Sequence, residues 1–150
     1  MADRYGLRRF KFAQDFGVYD KALEEVKNGR KTTHWIWFVF PQIKGIPGTH
    51  SHKSLYYGIT CADEAREYLA DPVLGSRLRE ITQTMLDCEE RNPFAIFGDI
   101  DARKVYSCMT LFDYVSPDDI FGKVLDQMYS GSRCLTTLSL IKTTNTIHGK

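Results

Sequence analysis

Apolar residues recur at helical spacing along most of the chain. Tyr19, Ala22, Leu23 and Val26 follow one another at i, i+3, i+4 and i+7, which predicts an amphipathic helix that ends before Gly29. Similar spacing, with polar residues that start helices and glycines that stop them, predicts helices elsewhere. The other predicted helices cover residues 4–16, 60–70, 71–91, 92–97, 101–114, 116–129 and 132–141.

The longest unbroken apolar run, Trp35–Phe40, contains both tryptophans. Aromatic and β-branched residues favour a strand here, but a single buried strand needs partners, and the other candidates at 105–112 and 135–146 also have helical patterns. We therefore predict a short buried helix that ends at Pro41, with a strand as the alternative. The predicted fold is all-α: a single compact domain, residues 1–150, of seven or eight short helices around this Trp/Phe-rich segment.

Two stretches lack a helical pattern. Residues 42–58 form a loop rich in Gly, Pro, Ser and His. This loop is long for a connection within a compact domain, which indicates a functional segment. Residues 142–150 are predicted to be a frayed tail.

The composition is that of a globular domain. Hydrophobic residues make up 43% of the 150 residues, and the net charge of +1 favours neither nucleic acid nor a membrane surface as partner. The N-terminus lacks the apolar segment of a signal peptide, and no apolar run approaches the roughly 18 residues needed to span a bilayer. We expect a cytoplasmic protein without membrane association. Its four cysteines, predicted to be buried reduced thiols, are Cys61, Cys88, Cys108 and Cys134.

The charges are unevenly distributed. The segment Val26–Ala62 contains no acidic residue in 37 positions, although it holds five Lys/Arg residues and three histidines. One interpretation is a solvated basic face that the acidic middle of the chain balances. The other is a pocket for an anion such as a phosphate, a nucleotide or a carboxylate.

His34 stands at the start of the apolar run. As a helix residue it would share a face with Trp37 and Phe38, at i+3 and i+4. A histidine at the edge of aromatic burial can act as a general base or donate a hydrogen bond to phosphate. The alternative is a structural histidine that is bonded to the backbone. The preceding Gly-Arg-Lys-Thr-Thr turn lacks the G-x-x-x-x-G-K-[ST] pattern of a Walker motif.

Hydroxyl groups recur every three residues at Ser51, Ser54 and Tyr57, close to Lys53. At this spacing they could surround an anion, or they could serve as ordinary helix caps. The pair His50 and His52 is a weak metal motif because no acid or thiol lies near it, so we predict no metal site and no cofactor.

A second polar series lies in the predicted helix 101–114. Asp101, Lys104, Ser107 and Thr110 recur every three residues between apolar positions, which places a polar stripe on a helix that is otherwise buried. Such a stripe needs hydrogen-bond partners or lines a cavity. The alternative is a capping Asp101 and a surface Lys104. No G-x-S-x-G nucleophile motif, no Cys near a His and no RNA-binding RNP pattern occurs.

The motifs R-F-x-x-A-Q, G-R-K-x-[ST]-H-W, F-P-Q, S-x-x-S-x-x-Y and D-x-x-K-x-x-S-x-x-T are all present in order. With them the chain resembles domain of unknown function family 1810, some of whose members are labelled calpastatin. The resemblance implies a small, single, mainly α-helical domain and no established activity. The loop 46–50 departs from the family pattern. The motifs fall on Arg9–Phe10, Ala13–Gln14, Gly29–Lys31, Thr33–Trp35, Phe40–Gln42, Ser51, Ser54, Tyr57, Asp101, Lys104, Ser107 and Thr110.

The first functional hypothesis is a polar pocket for an anionic small molecule that is nucleotide-like or phosphorylated, with hydrolase or transferase activity as its catalytic form. In this hypothesis His34 and Asp101 transfer protons. The remaining side chains neutralise charge, orient the ligand or stack on it. These ligand-binding residues are Arg30, Lys31, Lys104, Gln42, Ser51, Ser54, Tyr57, Ser107, Trp35 and Trp37.

The alternative is a non-enzymatic module that binds a protein partner through the loop 42–58 and a basic face. Such a module predicts a flat, exposed apolar patch instead of a cavity. Nucleic-acid binding is the least favoured hypothesis, because the basic stretch is short and the acidic middle would repel phosphate.

Overall fold

The computed structural model describes residues 3–148, and about 63% of the chain is helical. Among the described residues there is no strand, and a single isolated bridge pairs Ile43 with Ile59. The helices are α1 (Arg8–Gln14), α2 (Val18–Lys27), α3 (Ile36–Val39), α4 (His52–Tyr56), α5 (Ala62–Ala70), α6 (Leu74–Asp87), α7 (Pro93–Phe97), α8 (Asp99–Val115), α9 (Ile120–Met128) and α10 (Leu135–His148).

The predicted all-α fold is confirmed, and the run at 35–40 forms a short helix instead of a strand. The sequence predicts seven or eight helices, whereas the described part of the chain has ten. One of these, α4, lies inside the segment predicted to be loop. The prediction of a frayed tail over residues 142–150 is also wrong as far as His148, because α10 continues to that residue. Residues 149–150 lie outside the described part.

Helix α8 is the longest and packs against more of the other helices than any other element does. It contacts α5, α7, α9 and α10, and its buried side chains include Val105, Met109 and Phe112. The Trp/Phe-rich segment predicted to be the centre is instead packed between α1 and α8. Its Trp35 belongs to the same single apolar core as α8.

Helix α8 begins two residues before the predicted start. Gly98, at φ +82° and ψ 166°, is its N-cap residue, so the helix starts at Asp99. Asp101 is therefore not the cap and belongs to the first helical turn. This position leaves the Asp101 carboxylate available for contacts with other segments.

Two residues of the R-F-x-x-A-Q motif fasten α1 to the rest of the fold. The Arg9 guanidinium donates to the buried Glu64 carboxylate at 2.9 Å and to the Tyr56 carbonyl at 2.8 Å. The Gln14 amide donates to the Phe38 carbonyl at 2.8 Å. Since both side chains are engaged inside the fold, the motif is structural.

All four cysteines are free. Cys61, Cys88 and Cys108 are buried, as predicted, and burial raises the pKa of the Cys108 thiol well above its ordinary value. Cys134 is only partly buried, which corrects the prediction for that residue. No helix in the described part of the chain is both long and apolar enough to cross a membrane.

Helices α5 and α6 pack closely at Gly75, where an added Cβ would lie 2.1 Å from the Leu69 carbonyl oxygen. Because backbone cannot yield as a side chain can, we expect Gly75→Ala to destabilise the protein by about 1–3 kcal/mol. At this size, that lowers the melting temperature by about 2–10 °C. Thermal unfolding followed by circular dichroism measures it, with the exposed neighbour Ser76→Ala as control. Equal melting temperatures for the two variants would contradict the close packing.

Candidate functional site

The turn after α2 is held by one buried carboxylate, Glu25. It accepts hydrogen bonds from the N–H groups of Thr32 and Thr33 at 2.7 and 2.9 Å, from the Thr33 hydroxyl at 2.5 Å, and from the Trp35 indole at 3.0 Å. Burial alone would raise the pKa of Glu25, but these hydrogen bonds outweigh it and lower the pKa to about 2. The ionised carboxylate therefore fixes the turn that carries Lys31 and His34.

Lys31 and Lys104 converge on Asp101. The Lys31 Nζ lies 2.9 Å from one carboxylate oxygen of Asp101, and the Lys104 Nζ lies 3.3 Å from the other. The Lys31 side chain is only 8% exposed and that of Lys104 17%, so neither is a surface lysine. Asp101 thus joins the turn after α2 to helix α8 and holds two ammonium groups near each other.

A small cavity of about 170 Å³ lies beside this ion-pair cluster. We call it the small cavity, and its polar and charged lining consists of Lys31, His34, Lys53, Asp101 and Lys104, with Trp37 as an aromatic wall. His34 precedes α3 and is exposed, so the prediction that it lies on a helical face is wrong. It makes no hydrogen bond to any described residue, so no contact supports the structural alternative for His34.

A larger cavity of about 930 Å³ opens between the segment 42–51, helix α8 and the start of α10. We call it the main cavity. Its apolar wall is formed by Ile46, Phe94, Ile100, Tyr106 and Tyr129. The rings of Tyr106 and Tyr129 have their centroids 5.1 Å apart. Burial raises the pKa of Tyr129 far above its ordinary value, and its hydroxyl donates to the Ala102 carbonyl at 2.8 Å.

The charged residues that line the main cavity are Arg103 and Lys104, and no Asp or Glu is among its lining residues in the described part of the chain. The Lys104 Nζ lies 4.0 Å from the centroid of the Trp37 ring, a cation–π contact. Trp37 and Lys104 line both cavities and form the boundary between them. Both cavities therefore carry a basic lining.

Gln42 is a buried polar residue in the lining of the main cavity. Its backbone is fixed on the segment beside Ile59, because the Gln42 carbonyl accepts from the Ile59 N–H at 2.8 Å and the Ile59 carbonyl accepts from Lys44 at 2.8 Å. Gln42 is only 8% exposed, and its side-chain amide, which water still reaches, makes no hydrogen bond to a residue whose side chain the structure describes. Two N–H donors and one carbonyl acceptor therefore face the cavity.

Ser51 is the N-cap residue of α4, and Ser54, in the first turn of the helix, completes the cap. The Ser51 hydroxyl accepts from the Ser54 N–H at 3.1 Å, and the Ser54 hydroxyl donates to the Ser51 carbonyl at 2.8 Å, which starts α4. Ser54 and Tyr57 lie with Gln42 on a narrow cleft next to the main cavity, and Ser51 lies on the main cavity itself. Capping, the second interpretation of this hydroxyl series, therefore accounts for both serines.

The polar stripe on α8 divides into two parts. Asp101 and Lys104 serve the ion-pair cluster, whereas Ser107 and Thr110 hold α10. Ser107 shares a buried hydrogen bond of 2.6 Å with Thr137, and the Thr110 hydroxyl accepts from the Cys134 N–H at 3.0 Å. The alternative of a surface Lys104 is wrong. Ser107 borders the main cavity, but its hydroxyl already has a partner.

The predicted site residues converge, with one exception: all of them line the two cavities or the narrow cleft, but Arg30 is exposed and lines none of the three. Trp35 contributes to the small cavity, yet it is only 2% exposed and packs against Phe40 and Phe97. No ligand can stack on its face, which corrects that prediction. The half-buried Trp37 is the tryptophan that borders both cavities.

The sequence predictions missed Glu25 and several residues of the main cavity, among them Arg103 on α8 and Tyr129 at the end of α9. Glu25 follows Ala22 at i+3, beside the apolar face of α2, so a buried acid could have been recognised from the spacing. Arg103 and Tyr129 carried no local signal. Among the residues that the structure describes, no group of three or more His, Cys, Asp or Glu side chains could hold a metal ion.

Comparisons with known proteins give a family. The model of the family described as "Protein of unknown function (DUF1810)" matches residues 4–141, so the chain belongs to this family, as the motifs indicate. The crystal structure of the conserved hypothetical protein Rv1873 from Mycobacterium tuberculosis is similar, with 38% identity and a TM-score of 0.88, over 93% of this chain and 99% of that one. No curated protein matches.

Proposed function

We propose that the main cavity binds an anionic small molecule that is nucleotide-like or phosphorylated. The observation that carries this proposal is the Gln42 side chain, which is buried and has no partner among the described residues. No side-chain nitrogen or oxygen of the described residues is both buried and without a partner, so water reaches the Gln42 amide inside the cavity, and a polar ligand can replace that water. The donors and the acceptor of this amide suit a ligand with both kinds of polar group, such as a nucleobase or a sugar.

The size of the main cavity supports a ligand with an organic part. Its volume of about 930 Å³ lies at the upper end of the range of roughly 300–1,000 Å³ for small-molecule sites. Ile46, Ile100 and Tyr129 offer an apolar wall for a planar group, while Trp37 provides a half-buried ring at the other end. A flat protein-docking patch would lack this concave shape, so the cavity favours a small molecule over the interaction module.

The charge of the lining supports an anionic ligand. Arg103 is exposed and has no carboxylate partner among the described residues, and Lys104 adds a second cation on the next position of α8. The described part of the lining holds no acid, but Asp101 already pairs with Lys104, so the unpaired Arg103 contributes most of the attraction for a negative group.

For a catalytic form of this proposal, the structure favours different roles for the two predicted proton-transfer groups. Each oxygen of Asp101 faces an ammonium group, so Asp101 would position Lys31 and Lys104. His34 is exposed beside the small cavity and would be the group that transfers a proton to or from a ligand. Hydrolysis or group transfer on a bound ligand that is lost in His34→Ala would support this assignment.

A thermal-shift screen of the purified protein tests the proposal, with nucleotides, ADP-ribose-type fragments, sugar phosphates and polycarboxylates as probes. A probe at about 100 times its dissociation constant should stabilise the fold by about 2.7 kcal/mol and raise the melting temperature by about 5–10 °C. We expect Lys104→Ala to lose most of this shift, because Lys104 is the cation common to both cavities.

Arg30→Ala is the matched control for Lys104→Ala, because it removes one positive charge from an exposed position outside the cavities. We expect it to keep the full shift. An equal loss in both variants would mean that the probe senses net charge alone, and a screen without any hit would remove the support for a small-molecule ligand.

A further inference from the structure

We infer that the small cavity binds a phosphate group, and that the organic part of the same ligand extends past Trp37 into the main cavity. This inference rests on the proposed function and adds where the anion binds and how the ligand is oriented. The ligand class is accordingly a phosphate ester, with its ester oxygen directed toward Trp37.

Four side chains with nitrogen donors, from three segments of the chain, line the small cavity. Lys31 and His34 come from the turn after α2, Lys53 from α4 and Lys104 from α8. The acid in the lining is Asp101, and its charge is already compensated by the two lysines that flank it. The remaining charge of the small cavity is positive, which suits a phosphate.

Two of these donors are free to bind. His34 and Lys53 are both exposed, and neither side chain makes a hydrogen bond or an ion pair within the part of the chain whose side chains are described. Lys31 and Lys104 are held in place by Asp101 and by their contacts with the tryptophan rings, the Lys31 Nζ at 5.1 Å from the Trp35 centroid. The site thus combines two fixed cations with two that can close on an anion.

The volumes of the two cavities indicate which part of the ligand each cavity binds. The small cavity, at about 170 Å³, is several times smaller than the main cavity, at about 930 Å³. A tetrahedral anion fits such a space, but a nucleoside does not, since small-molecule sites of that size start at roughly 300 Å³. The organic part must therefore lie in the main cavity.

Trp37 and Lys104 connect the two spaces because both residues line both cavities. A phosphate oxygen near the Lys104 Nζ would lie close to the Trp37 ring, which is 4.0 Å from that nitrogen. An anion there would weaken the cation–π contact, so binding should change the fluorescence of Trp37.

The test measures the binding of inorganic phosphate and pyrophosphate to the full chain at constant ionic strength. Tryptophan fluorescence and phosphorus NMR report the binding. Lys53→Ala changes a residue that lines the small cavity and not the main one, and Arg103→Ala does the reverse. We expect Lys53→Ala to weaken phosphate binding about tenfold, the loss of one charged hydrogen bond, and Arg103→Ala, which removes a cation from the main cavity, to weaken it much less. Lys21→Ala, an exposed lysine on α2 that borders neither cavity, is the control.

Three results would overturn the inference. If Arg103→Ala weakens phosphate binding and Lys53→Ala does not, the anion binds in the main cavity. If all three variants weaken it equally, the effect is nonspecific. If phosphate and pyrophosphate do not bind while the thermal screen has a hit that Lys104→Ala removes, the small cavity is not the phosphate site but the proposed function stands. Failure of both experiments would remove both proposals.

Discussion

Replacing Gln42 with leucine is expected to weaken ligand binding by about 10- to 100-fold while the protein stays as stable as before or becomes more stable. A hydrogen bond to a charged or strongly polar ligand group contributes about 1.5–3 kcal/mol, which sets the loss in affinity. Stability should not fall, because leucine has a similar size and the amide that it replaces has no partner among the described residues. Opposite effects on binding and stability are typical of residues kept for function.

Gln14 offers a matched control, because it is the other buried glutamine. It is 2% exposed, and both ends of its amide are used: it donates to Phe38 and Tyr68, and it accepts from Arg77 at 3.3 Å. We expect Gln14→Leu to destabilise the protein by about 1–3 kcal/mol, since it leaves buried partners unsatisfied.

Denaturant unfolding measures the stability of both variants, and calorimetry measures the affinity for the best probe from the thermal screen. If Gln42→Leu destabilises the protein as much as Gln14→Leu does, Gln42 has a structural partner and the proposal loses its main support.

Replacing Glu25 with alanine is expected to have the largest effect on stability at the site, about 2–4 kcal/mol. The substitution leaves the buried Trp35 indole N–H without an acceptor, while water can reach the freed N–H groups of the exposed Thr32 and Thr33. The turn that carries Lys31 and His34 should loosen as well, so phosphate binding should weaken in the same variant. Glu24→Ala, at the exposed neighbouring position, should change stability by less than about 0.5 kcal/mol.

Glu25 also predicts a dependence of stability on pH. Its pKa in the folded protein is about 2, below its ordinary value of 4.5, so the folded state favours the ionised carboxylate. The stability from this group is therefore fully present above about pH 4.5 and is lost as the pH falls from there toward 2. In Glu25→Gln this contribution should be absent, and the gap in unfolding free energy between wild type and variant should narrow in acid. A difference in unfolding free energy between wild type and Glu25→Gln that is constant with pH would contradict a stabilising role of the Glu25 charge.

Much of the fold follows from local signals in the sequence. Asn92 caps α7 through its side chain, Pro93 is the first helical residue and Gly98 ends the helix, all at positions that the sequence marks. Helix α4 was not evident, because five residues with a serine cap are hard to separate from the Gly- and Pro-rich loop around them. The run Trp35–Phe40 was ambiguous because its aromatic residues favour a strand, whereas α1 and α8 provide helical packing.

The candidate site could be predicted only in part. The acid-free stretch and the polar stripe on α8 identified Lys31 and Lys104, and the fold brings both to Asp101. The apolar wall with Tyr129 could not be found, because it depends on how α9 packs against α8. Nor could the sequence separate Gln42 from Gln14, since their difference lies in hydrogen-bond partners that only the folded chain provides.

The most direct measurement is a crystal structure of the protein grown with the nucleotide or sugar phosphate that gives the largest thermal shift. The proposed function predicts electron density for the probe in the main cavity, with a polar atom within hydrogen-bond distance of the Gln42 amide and a negative group near Lys104. If the probe is ordered elsewhere on the protein and water alone fills the main cavity, the proposed function is wrong.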